Sequence, residues 1–210
     1  MYNKEETALT KAIGIINQHN GIIRTKEAIN AGIHSRTIYK LRDECVIEEI
    51  SRGIFRLANT KPISNPDIVT VALRIPNAVI CLISALSYYN ITTQIPHMIF
   101  IALSKGSETP RINYPPVSIH RFSEDSFSKG IQEHDIDGIK VKFYSPEKTI
   151  IDCFKFRNKI GMDVAIEALK LYKTKYKFDI NILLEYARIC RVENIIRPYL
   201  EATIWSKEDI

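Results

Sequence analysis

The stretch TKEAINAGIHSRTIYKLRDECVIEEISRGIFRL, Thr25 to Leu57, decides how this chain is read. It divides into a short helix, a glycine turn, a second helix and a hairpin. Thr25 is placed to cap the first helix, Glu27 puts negative charge in its first turn, and Gly32 can close it in the left-handed region. The second helix starts near Ser35, a good N-cap, and carries Ile38, Leu41 and Cys45 as one apolar stripe facing inward. Arg36, Tyr39, Lys40 and Arg42 fall on the other side. Val46 to Ile50 and Ile54 to Leu57 read as two strands joined by Ser51, Arg52 and Gly53, with glycine where φ turns positive. That order predicts a winged helix-turn-helix with an arginine at the tip of its wing.

Such a fold places the N-terminal half of its second helix in the major groove of DNA. Ser35, Arg36, Tyr39 and Lys40 are therefore the candidates for base edges. Thr37, Arg42, Arg52 and Arg56 are placed for phosphates, which fix position without reading sequence. Glu44, Glu48 and Glu49 lie close by and dilute the positive charge. The alternative is a protein- or tRNA-binding interaction module without sequence-specific DNA binding, since the same fold also docks partners.

Working outward, Glu5 to Gln18 carries Ala8, Leu9, Ala12, Ile13, Ile15 and Ile16, the stripe of a scaffold helix, with Gly14 explained by close helix packing. Ile22 and Ile23 suit a short strand pairing with the wing. Leu57 to Pro66 is rich in Asn, Ser, Thr and Pro and reads as a linker. Beyond it a helix is expected from Pro66 to about Arg74, then a nearly all-apolar helix through Ala78, Val79, Leu82, Ile83 and Leu86 at the centre of a second domain. Strands follow at Met98 to Leu103 and Val117 to Phe122. Ile131 to Ile136 and Ile139 to Tyr144 flank Asp137 and Gly138, the strongest hairpin signal in the chain. Ser145, Pro146 and Glu147 open another helix with a cap, a first-position proline and a carboxylate at its positive end. Helical patterns around Val164 to Tyr172, Ile180 to Ile189 and Val192 to Ile204 complete a helical C-terminal third.

With 210 residues and 45% hydrophobic content, the chain can bury a core in each of two modest domains. No apolar run is long enough to span a bilayer, and the N-terminus MYNKEETALTK lacks a signal-type segment, so a cytoplasmic protein without a membrane partner is expected. The net charge of +5 permits nucleic-acid binding without requiring it. Cys45, Cys81, Cys153 and Cys190 show no C-x-x-C spacing and read as small buried residues. The five histidines have no zinc-ligand spacing, and no nucleophile elbow or phosphate loop occurs. Glu133, His134, Asp135 and Asp137 form an acidic cluster at a hairpin tip, where charges are ordinarily solvated. Neither an enzyme, a metal nor a cofactor is expected. In SPEKTIIDCFKFRNKIG, Asp152 stands three residues from Lys155, which reads as a surface ion pair of the helix or as a polar site for a partner.

Three blocks of the chain resemble the abortive-infection AbiE antitoxins (AbiEi family), assigned to type IV toxin-antitoxin systems. The first is the wing SRGIFRLA, Ser51 to Ala58. The second is the apolar segment ending in Ser84, Ala85 and Leu86, followed by Ile95, Pro96 and the strand through Phe100 and Ala102. The third, and most specific, comprises Ser145, Pro146, Glu147, Lys148, Thr149, Asp152, Phe156, Arg157, Lys159 and Gly161. The resemblance implies a winged helix-turn-helix over residues 1–59 that represses its own operon by binding inverted repeats in double-stranded DNA. It also implies an antitoxin domain over residues 60–210, marked by Ser84, Glu147, Lys148, Thr149, Asp152 and Arg157, that counters a nucleotidyltransferase-like toxin. The expected fold is thus α+β: the winged helix, then a mixed α/β domain with a small, largely antiparallel sheet and a helical C-terminal third.

Overall fold

The computed structural model describes residues 2–205. The chain divides into two compact units, the first running to Leu73 and including Asp135–Ile139, the second comprising Arg74–His134 and the residues from Lys140 onward. In the first unit α1 (Tyr2–Gln18), β1 (Ile22–Arg24), α2 (Thr25–Asn30), α3 (Ser35–Asp43), β2 (Ile47–Ser51) and β3 (Ile54–Leu57) follow one another, with α4 (Pro66–Arg74) at its end. The three strands form an antiparallel sheet in the order β1-β3-β2, with Ile22 opposite Arg56 and Ile47 opposite Leu57. Ala12 and Ile16 of α1, Ala28 of α2, Ile38 and Leu41 of α3, and Ile23, Ile47, Phe55 and Leu57 of the sheet make one core. Burying these side chains supplies the main drive for folding the unit.

The ends of these helices differ from the sequence expectation. Thr25 does not cap α2: its N–H and hydroxyl both donate to the Gly53 carbonyl, at 2.9 and 3.2 Å, while the Glu27 carboxylate accepts the Arg24 N–H at 3.1 Å. His34, rather than Ser35, caps α3, its Nδ1 accepting the Arg36 N–H at 3.2 Å. Cys45 is exposed and leaves the apolar stripe, because α3 ends at Asp43 and Cys45 turns into the left-handed region at φ 55°. The Val46 N–H then reaches back to the Leu41 carbonyl and the Cys45 N–H to that of Arg42, both at 2.9 Å, the helix-ending pattern normally built on glycine. Gly14 is not a packing glycine either: a Cβ there would meet nothing within 4 Å.

The second unit holds β4 (Val79–Ile80), α5 (Leu82–Tyr88), β5 (Ile99–Ser104), β6 (Val117–Phe122), α6 (Glu124–Ser128), β7 (Ile131–Ile136), β8 (Ile139–Tyr144), α7 (Pro146–Lys155), α8 (Arg157–Ile160), α9 (Met162–Lys175), α10 (Ile180–Cys190) and α11 (Glu193–Trp205). The apolar run expected as one helix from Ala78 is instead a strand turning into a helix. Val79 pairs with Ala102 and Ile80 with Ile101, Cys81 is extended, and Leu82 takes φ 47° at the bend. Such a run satisfies a buried strand as well as a buried helix, and the β5 backbone decides between them.

The sheet, in the order β6-β5-β4-β8-β7, is mixed rather than largely antiparallel. β5 and β6 run parallel from Ile99 opposite Val117 to Ser104 opposite Phe122, and β4 and β8 are parallel at Ile80 and Phe143. Hairpin signals report only local pairings, whereas parallel pairs are closed by long crossovers that leave no mark at the strands. The helical C-terminal third is as expected. At the centre of the unit lies α7, packed against α5, α9 and α10.

Candidate functional site

Along α3, Ser35, Arg36 and Tyr39 are exposed, while Thr37, Lys40 and Arg42 are half-buried. The Arg36 guanidinium makes no ion pair among the described residues. Lys40 approaches Glu44 at 3.9 Å. Arg42 donates to Asp43 Oδ1 at 2.9 and 3.2 Å, which holds the guanidinium above its ordinary pKa, and it lies over the Tyr39 ring at 5.1 Å. His34, Arg36, Thr37 and Lys40 line a notch of about 140 Å³ whose remaining wall is Ala8 and Leu9 of α1. The notch thus sets two basic side chains, Arg36 and Lys40, beside an apolar wall.

Arg52 is exposed at the β2–β3 turn, where the Glu49 carboxylate accepts the Gly53 N–H at 2.7 Å and fixes the turn. Arg56, on β3, is held by the Glu48 carboxylate opposite it and donates to the Lys61 carbonyl at 3.5 Å. Its charge is thus matched within the hairpin. The structure therefore gathers Ser35, Arg36, Thr37, Tyr39, Lys40 and Arg42 on one helix and leaves Arg52 and Arg56 on the hairpin.

In the second unit the motif around α7 is interior. Ser145 caps the helix, its Oγ accepting the Lys148 N–H at 3.3 Å. Lys148 and Asp152, four residues apart, are fully buried and paired, Nζ lying 2.6 Å from both carboxylate oxygens. The expected surface pair of Asp152 with Lys155 is thus corrected: the partner is Lys148, and the pair is sealed. The ammonium also lies over the Tyr144 and Phe122 rings, at 4.2 and 5.0 Å, and Cys190 donates to Asp152 Oδ1 at 3.5 Å. Burial pushes the Asp152 carboxyl up, opposed by the Lys148 charge. Gly130, at φ 74°, lets the lysine stem pass, since a Cβ there would stand 2.8 Å from Lys148 Cβ.

The other motif residues are likewise occupied within the unit. Glu147 accepts the Tyr172 hydroxyl at 2.6 Å, Thr149 donates to the Tyr144 carbonyl at 3.3 Å, and Arg157 donates to the Phe154 carbonyl at 2.9 Å. Ser84 accepts the Phe100 N–H at 2.9 Å and donates to the Met98 carbonyl at 3.3 Å, tying α5 to the start of β5. These contacts build the fold of the unit. The hairpin acids serve separate partners: Asp135 accepts the Gly138 N–H at 2.8 Å, and Asp137 accepts the Ser64 N–H and hydroxyl, each at 2.7 Å.

His120, on β6, carries no signal of its setting in the sequence. It is 5% exposed, its Nε2 is 3.1 Å from Ser118 Oγ and its Nδ1 has no hydrogen-bond partner among the described residues. Phe100 stacks on the ring and Phe156 meets it edge-on. Burial, with a smaller contribution from Lys159, lowers its pKa to about 4.

Residues 15–58 match the family model of the transcriptional regulator, AbiEi antitoxin. The match takes in α2, α3 and the hairpin, including SRGIFRLA, and supports the AbiEi-type resemblance there. No curated protein matches the chain. Among solved structures it is similar to the crystal structure of RV2827C protein from Mycobacterium tuberculosis, at 12% identity and a TM-score of 0.59, over 97% of this chain and 83% of that one. At that identity the likeness concerns the fold alone. Among the described residues no helix is long and apolar enough to cross a membrane.

Proposed function

We propose that this chain is the antitoxin and autorepressor of a type IV toxin-antitoxin pair. Its first unit acts as a winged helix-turn-helix on operator DNA bearing inverted repeats, and its second counters a nucleotidyltransferase-like toxin. The observation that carries the reading is the exposed basic face of α3, with Arg36 in no ion pair among the described residues, inside the segment that matches AbiEi regulators. Arg36, with Ser35, Tyr39 and Lys40, faces base edges, the guanidinium fork matching the O6 and N7 acceptors of guanine. Thr37, Arg42 and Arg52 take phosphates, and Arg56 does so only by sharing its charge with Glu48.

The test is a fluorescence-anisotropy titration of the DNA preceding the chain's own reading frame. Arg36→Ala should weaken binding by roughly 1 to 3 kcal/mol and relax specificity at one base pair. Unchanged affinity overturns the assignment. Affinity should also fall steeply with salt, with a log-log slope of about −0.9 per phosphate neutralised, whereas a protein-docking module would show a shallow slope. Co-expression with the adjacent reading frame tests the antitoxin half: that frame should be toxic alone and harmless beside this chain.

A further inference from the structure

Tyr39 is a large aromatic side chain, 50% exposed, on a helix face otherwise made of Ser35, Arg36, Lys40 and Asp43. An isolated exposed ring is common, but this one is held in place. The Arg42 guanidinium covers it at 5.1 Å and is itself fixed by two hydrogen bonds to Asp43, at 2.9 and 3.2 Å. The ordering cost of presenting the ring is therefore met in part in the free protein. Its hydroxyl has no partner among the described residues, so the phenol is not spent on the fold.

The charged and hydroxyl neighbours of Tyr39 suit the donors and acceptors of base edges. The one apolar group that the major groove offers is the 5-methyl of thymine. An exposed ring face among polar side chains is complementary to that group. Resting on the operator-binding reading above, we infer that Tyr39 selects thymine, its ring packing on the 5-methyl group one helical turn beyond the base pair met by Arg36. The contact is apolar, so the phenolic hydroxyl takes no part in the selection.

Full-length protein is used to select duplexes from a randomised pool, and an enriched duplex is remade with deoxyuridine in place of thymidine, one position at a time. This removes only the methyl. Wild type should lose about fourfold in affinity at one or two positions, the worth of a single buried methyl-sized group. Tyr39→Phe should lose the same factor at the same positions, and Tyr39→Ala should bind the thymidine and deoxyuridine duplexes equally there. Circular dichroism checks that Tyr39→Ala keeps its helices, as expected for an exposed position. If deoxyuridine costs nothing at any position, or Tyr39→Ala still discriminates, the inference is overturned while the enriched duplex leaves operator binding standing. If no sequence is enriched, the operator reading itself fails and the inference falls with it.

Discussion

Lys148 and Asp152 show how far a residue's surroundings can reverse its meaning. In sequence they are two charges on a helix rich in charge; in the fold they are a sealed ion pair between aromatic rings. Two ions taken out of water gain little net stability as a pair, but either one alone is an uncompensated buried charge. Lys148→Met or Asp152→Leu should each lower stability in urea unfolding by about 3 to 5 kcal/mol, and the double variant should recover most of that loss. Losses that simply add would show that the two charges are not coupled. The spacing of four within an otherwise apolar run is the signal the sequence carries, and Lys155 at a spacing of three competes with it. His120 gives a second residue-scale expectation. Its folded pKa, about 4, lies below the ordinary 6.5, so the unfolded chain binds the extra proton between those values. The stabilisation is complete above pH 6.5 and is lost as pH falls toward 4, by up to about 3 kcal/mol. Urea unfolding across that range should show a shallower slope for His120→Phe than for wild type. A lone histidine in a strand carries no sequence sign of this, because the aromatic walls come from β5 and the end of α7.

Helix α3 is legible in its middle, and its cap and its end depart from the sequence pattern. Ile38 and Leu41 face the core and Arg36 and Tyr39 face out, as helical period requires. Cap preference points to Ser35, yet His34 takes the role, since an imidazole nitrogen can accept the same N–H. The finish was carried to Cys45 by apolar character, but the turn into β2 needed a left-handed residue before Val46. Cysteine at φ 55° has the strain that glycine avoids. Cys45→Gly should therefore raise the urea midpoint, by about 1 kcal/mol in stability, with no change in the circular dichroism of the helices. A loss of stability would mean that the thiol makes a contribution its exposure does not suggest.

For the molecule as a whole, the first unit is legible almost strand by strand, because β2 and β3 form a local hairpin and the short apolar pair Ile22 and Ile23 marks the strand that returns to pair with β3. The second was readable as a set of elements but not as a sheet. Local periodicity located β5 to β8 and the late helices, yet the pairing of β4 with β8 depends on residues far apart in sequence, and α6 was too short to leave a period. The basic residues of α3 follow from pattern, while those of the α7 motif come from resemblance and make their contacts within the second unit. One consequence belongs to synthesis. Because β4 is a two-residue strand flanked by β5 on one side and β8 on the other, a growing chain that has not yet reached Phe143 leaves Ile80 with one backbone edge open. An unpaired apolar edge invites the wrong neighbour. The second unit is accordingly most vulnerable to aggregation while it is still on the ribosome, and slowing translation just before β8 should lower the soluble yield more than slowing it after α7.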